Sequence, residues 1–111
     1  MSTVVLTDPV LELVVRRMHL LADPLRMRLL LALQDREASV QELADALEVE
    51  HRNASRSLGE LHREGILARR RDGTRRLYSI ADYTTCRLVA QMAESVIAHV
   101  EELHDAVIED D

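Results

Sequence analysis

Apolar residues recur at steps of three and four along most of this chain, the spacing of one face of a helix. Val10, Leu11, Val14, Val15, Met18 and Leu21 form the first such stripe, preceded by Asp8-Pro9, a helix start with Pro at the first helical position. Asp23-Pro24 repeats that signal, and Leu25, Leu29, Leu30 and Leu33 follow, with Arg26 and Arg28 on the outer face. Two helices therefore meet at a sharp corner. Ser39-Val40-Gln41-Glu42 has the form of a capping box, in which the hydroxyl bonds the amide three residues on and the Glu reaches back. It opens a short helix carrying Val40, Leu43, Ala44 and Leu47. After the brief linker Glu48-Val49-Glu50, a further helix is expected from about His51 to Glu64, with Ala54, Leu58 and Leu61 on one face. Gly65 stands at its C-terminal cap.

A short helix, a tight turn and a second helix make a helix-turn-helix layout, about residues 39–64. Beyond Gly65 the period changes. Ile66 to Arg71 and Arg75 to Ile80 flank Asp72-Gly73-Thr74, and Asp-Gly is a strong hairpin signal because Gly tolerates the positive φ of the turn. A two-stranded ribbon over about 66–80, directly after the second helix, is a wing. From about Tyr83 to Ile108 a last helix runs without Gly or Pro, its apolar residues Val89, Met92, Ala93, Val96, Val100, Leu103 and Val107 making a narrow seam. Such a seam suits pairing with another helix. The expectation is a single, mainly α domain over 1–111 with a two-stranded β wing, a winged helix-turn-helix that dimerises through its first (about 8–21) and last (about 83–108) helices.

Composition agrees with one small helical domain: 111 residues, 47% hydrophobic, without Trp or Phe and with two Tyr. The net charge of −6 looks unsuited to nucleic acid until it is mapped. Between His51 and Tyr78 eight Arg face three acids, a local +5, so that −11 falls on the rest of the chain. Charges beyond about 8–10 Å are screened at physiological salt, so the local field decides. All fourteen basic residues are Arg, whose fork suits phosphate and guanine. Met1 to Thr7 has no form of a secretory signal, no stretch reaches the ~20 apolar residues of a membrane span, and the lone Cys86 forms no internal disulfide. A cytoplasmic protein without membrane contact is expected.

Four blocks in order resemble the ArsR/SmtB family of bacterial repressors: Leu21 to Leu30 (LADPLRMRLL), Ser39 to Ala44 (SVQELA), Asn53 to Leu61 (NASRSLGEL), and Gly65 to Gly73 followed by Leu77 to Ile80. The match runs without a gap from about Met18 to Asp82. The resemblance implies a homodimer that presents two recognition helices to operator DNA and releases it when an effector binds. Ser57 stands where the family often has His, which implies altered base preference, and Glu48 where it usually has Gly.

In a helix-turn-helix the N-terminal residues of the second helix meet base edges in the major groove. Here these are Arg52, Asn53, Ser55 and Arg56, suited to guanine (Arg), adenine (Asn) or either (Ser). Gln41 is expected at a phosphate, and Arg75 at the wing tip is preferred to Arg76, with Arg69 and Arg71 too far down the strand. Of the family's metal positions, the one that uses cysteines in the short helix is absent. The one across paired last helices is represented by Cys86, His99 and Glu102, a set acceptable to a zinc-like divalent ion although its first half is incomplete. No cofactor is otherwise expected. An enzyme is disfavoured, since neither a phosphate-binding Gly loop, a His-Glu-x-x-His nor a nucleophile elbow occurs. A dimeric protein-interaction module without DNA binding is the other alternative.

Overall fold

The structure, a computed structural model, describes residues 3–109, and side chains only as far as residue 106. Five helices and three strands follow in the order α1 (Asp8–Leu21), α2 (Pro24–Ala32), β1 (Ala38–Ser39), α3 (Val40–Leu47), α4 (His51–Arg63), β2 (Leu67–Asp72), β3 (Arg75–Ile80) and α5 (Tyr83–Glu109). The helix-turn-helix is α3–α4, and β2–β3 form the wing hairpin.

Local signals act largely as the sequence predicts. Asp23 caps α2 by accepting from Arg26 N at 2.9 Å. The Ser39–Glu42 capping box of α3 is closed in both directions, at 3.1 and 3.2 Å. Gly65, at φ 78°, ends α4: its amide donates to His62 O and that of Ile66 to Leu61 O, the paired bonds of a Schellman motif. One start shifts: α1 includes Asp8, and its cap is Thr7, which makes no side-chain bond.

The ribbon is not alone. β1 pairs antiparallel with β3 (Ala38↔Tyr78, Ser39↔Leu77), giving a sheet of order β1-β3-β2. Two residues have no periodicity to read, and only the return of β3 beside them makes them a strand. The core lies between α2, α3, α4 and the sheet, with Leu29, Leu30, Leu43, Leu58, Leu61 and Tyr78 all but solvent-free. Residue alternation gives β2–β3 two faces. Leu67, Tyr78 and Ile80 turn to this core, and the same face runs out toward the tip as Arg69, Arg71 and Arg76.

The two outer helices are covered on one side only. Leu21 is the one residue of α1 that is fully buried, whereas Val10, Leu11, Val14, Val15 and Met18 stay 42–48% exposed. On α5, Cys86 and Val89 pack into the core, but Met92, Val96, Val100 and Leu103 are 46–57% exposed. Val107, the last residue of that seam, lies outside the described side chains. No helix of the described residues is long and apolar enough to cross a membrane.

Candidate nucleic-acid interface

The N-terminal turn of α4 is held at the surface by what its other side buries. Ala54, Ser57, Leu58 and Leu61 face the core, so Arg52, Asn53 and Arg56 are exposed and Ser55 half-buried. Farther along, Arg26 of α2 bonds Glu60 at 2.6 Å and also reaches Leu20 O, tying α4 to the α1–α2 corner. From α1, Arg17 donates to Glu64 O at the end of α4 (3.0 Å) and to Asp82 (2.8 Å). The recognition helix is thus anchored at its C-terminal half and free at its N-terminal half. Ser57, where altered base preference was expected, is buried, so its difference from the family concerns packing.

A cleft of about 540 Å³ opens between the N-termini of α3 and α4 and the wing tip. Gln41, Ser55 and Arg75 line it, as do His51, Glu42 and Arg76. It brings three of the expected DNA-contacting residues together, while Arg52, Asn53 and Arg56 lie on the exposed flank of α4 beside it. Gln41 Nε2 is held by Asp45 Oδ1 at 2.8 Å along α3. His51 carried only the start of a helix in the sequence, and Glu42 only its capping role. Their place in the cleft depends on the wing folding back beside α3, for which the local sequence holds no signal.

The wing's arginines divide by face. Arg70 and Arg75, on the face away from the core, are paired with Glu37 and Glu42. Glu37's carboxyl is held below its ordinary value chiefly by the hydrogen bond from Arg70. Glu42's is lowered first by the Ser39 backbone amide, then by the Ser39 side chain, with smaller attraction from Arg75 and Arg36. Arg69, Arg71 and Arg76, on the other face, have no carboxylate within salt-bridge reach among the described residues, and with Arg70 they line a small concavity of about 130 Å³.

The residues proposed for a metal are not gathered within one chain. Cys86 is buried against α2, its Sγ 3.8 Å from Leu30 O, and burial pushes its thiol pKa up, against the thiolate a metal needs. His99 and Glu102 are exposed on the distal part of α5, about 20 Å or more further along at 1.5 Å per residue. Cys86 thus turns into its own protomer's core, away from the exposed seam, because the first turns of α5 pack on α2. Among the described residues no three His, Cys, Asp or Glu side chains cluster as a metal site. Asp82 is the N-terminal cap of α5.

Comparison with known proteins agrees with this layout. Residues 21–70 match the family described as helix-turn-helix domain. The HTH-type transcriptional regulator Rv0081 of Mycobacterium tuberculosis is 39% identical over 105 residues, 94% of this chain and 91% of the relative. Its crystal structure superposes with a TM-score of 0.72 over 91% of this chain and 99% of that one. The homodimeric winged helix-turn-helix DNA-binding domain of Mb0332 from Mycobacterium bovis, described as a possible ArsR-family transcriptional regulator, is 30% identical, with a TM-score of 0.77 over 90% of this chain and 95% of its own. The antimony-specific transcriptional repressor AntR is 25% identical with a TM-score of 0.74, each chain covered to 92%. The relatives are transcriptional regulators and not enzymes. With a helix-turn-helix closed by a wing and 39% identity to a regulator along nearly its whole length, this chain belongs to the ArsR/SmtB family of winged helix-turn-helix transcriptional regulators.

Proposed function

We propose that the protein is a homodimeric, sequence-specific repressor that binds an inverted-repeat operator and leaves it when an effector binds. The observation that carries this reading is the cleft that sets the free N-terminal turn of α4 beside the arginine-bearing wing tip. A duplex laid across it would meet Arg52, Asn53, Ser55 and Arg56 at base edges, and Gln41 and Arg75 at phosphates. Pairing of two chains through α1 and α5 would cover the exposed Val10–Met18 and Met92–Leu103 stripes and set two such clefts side by side. The homodimeric state of the Mb0332 domain supports that arrangement. The protein works in the cytoplasm on this reading. Metal control through Cys86, His99 and Glu102 has less support than an effector of another kind, because the thiol is buried.

The test is fluorescence anisotropy with duplex DNA from upstream of the protein's own gene, beside light scattering of the free protein. A dimer that prefers one duplex over scrambled DNA, with half-sites about one helical turn apart or a multiple of it, is the expected result. A dimer indifferent to DNA would favour the protein-interaction module, and a stable monomer would overturn the arrangement altogether. Adding Zn, Ni and Co ions to the complex reads out metal control.

A further inference from the structure

Glu42 does more than cap α3. Its Oε1 accepts from Ser39 N at 3.2 Å, closing the capping box, and also from Arg75 Nη2 at 2.8 Å, across the cleft from the wing. The carboxylate thus stands at the first turn of α3, beside an arginine and the positive end of a helix, which is the setting that favours a phosphate. The pair is about half exposed, with side chains 56% and 46% accessible, so an incoming anion can exchange with it. A second ion pair on the same face of the ribbon, Arg70–Glu37, holds the wing lower down.

We propose that Glu42 is an internal substitute for a DNA phosphate: it occupies Arg75 in the free protein and must be displaced when the duplex enters the cleft. The inference rests on the DNA-binding reading and adds to it a residue that limits affinity. An arginine already paired inside the protein gains little by exchanging a carboxylate for a phosphate, and the displaced carboxylate then repels the backbone it faces. Glu42 thereby lowers binding to every duplex alike, since it reads no base. It raises the share of affinity that must come from Arg52, Asn53 and Arg56, while the ratio of operator to random affinity stays the same. Arg69, Arg71 and Arg76, on the opposite face, carry no such counterweight among the described residues.

The experiment measures the affinity of wild type, Glu42→Gln, Arg75→Ala and the double variant for operator and for scrambled duplex at low salt. Gln keeps the capping bond while removing the charge, so helix α3 should stay formed, which a thermal melt checks. Glu42→Gln is expected to bind both duplexes roughly threefold tighter or more, and in the Arg75→Ala background the gain should shrink to what the lost repulsion alone supplies. Glu42→Ala gives up the cap as well. It should melt lower yet show the same gain in affinity, separating charge from cap. If wild type prefers its operator but Glu42→Gln binds equally or more weakly, or the gain is undiminished without Arg75, the inference is overturned and the DNA reading stands. If wild type binds no duplex, both fall.

Discussion

At residue 82 one carboxylate serves three groups. Asp82 Oδ1 accepts from Thr85 N (3.0 Å), and Oδ2 accepts from Thr85 Oγ1 (2.6 Å) and from Arg17 (2.8 Å). These bonds hold its pKa below the ordinary range, the Thr85 hydroxyl first among the causes. A carboxyl lowered in the folded state stabilises fully above its unfolded value of about 3.9, and that stabilisation is lost as pH falls through the lower folded value. Asp82→Asn is therefore expected to cost stability at pH 7 and progressively less as pH falls below the ordinary carboxyl value, read from urea melts along that range. A second residue-scale outcome concerns Glu48, which ends α3 at φ 55°, ψ 47°, left-handed ground where a Cβ is strained. Glu48→Gly should raise stability by about 0.5–1 kcal/mol in the same assay, with DNA affinity unchanged. On α4, Arg52→Ala or Arg56→Ala should each cost about 1–3 kcal/mol and relax preference at one operator position. Arg75→Ala should instead weaken all sequences alike, a contrast that binding to a panel of single-base operator variants would expose.

Among the elements, α5 changes partner along its length. Its first two turns bury Cys86 and Val89 in the protomer, and beyond them the apolar stripe finds nothing to cover it among the described residues. Exposed valines at helical spacing, together with the similarly bare stripe of α1, are what an interface between two copies requires. Replacing Val96 and Val100, 55% and 57% exposed, with Asp leaves the protomer core untouched. It should raise the dimer dissociation constant at least about a hundredfold, since two charges would be buried unpaired; sedimentation equilibrium would measure it, and an unchanged dimer would remove α5 from the interface. The wing shows the opposite dependence. Its Asp72-Gly73 turn was legible, with Gly73 at φ 65°, but its third strand was not, because β1 exists only through pairing with β3. The division of its arginines between a tethered and an untethered face was equally hidden, since strand register decides which side chains share a face.

Over the whole molecule, charge is sorted by position. A chain of net −6 gathers a +5 stretch on α4 and the wing, and two acids from outside that stretch, Glu37 and Glu42, reach in to neutralise part of it. What remains unpaired is nearer to what a duplex would meet than the formal count. The anchoring of α4 also belongs to this scale. Arg16, Arg17 and Arg26, on α1 and α2, grip Glu64, the Glu64 carbonyl and Glu60. The recognition helix is therefore fixed to the same helix that carries half of the proposed dimer surface. A change in how two protomers meet would move both recognition helices with it.

By itself the sequence determined the order of helices and hairpin, their caps, and the residues at the free end of α4. Those depend on local rules: helical spacing, Pro and Gly at fixed offsets, and hydroxyl or carboxylate caps a few residues from the amide they bond. The family, too, was legible in four contiguous blocks. Tertiary structure alone decided that Cys86 turns inward while His99 points to solvent, that Ala38–Ser39 is a strand, and that Arg75 is already engaged by Glu42, 33 residues earlier in the chain. Each depends on which distant segment arrives alongside, and a pairing between distant residues leaves no periodic trace in either of them.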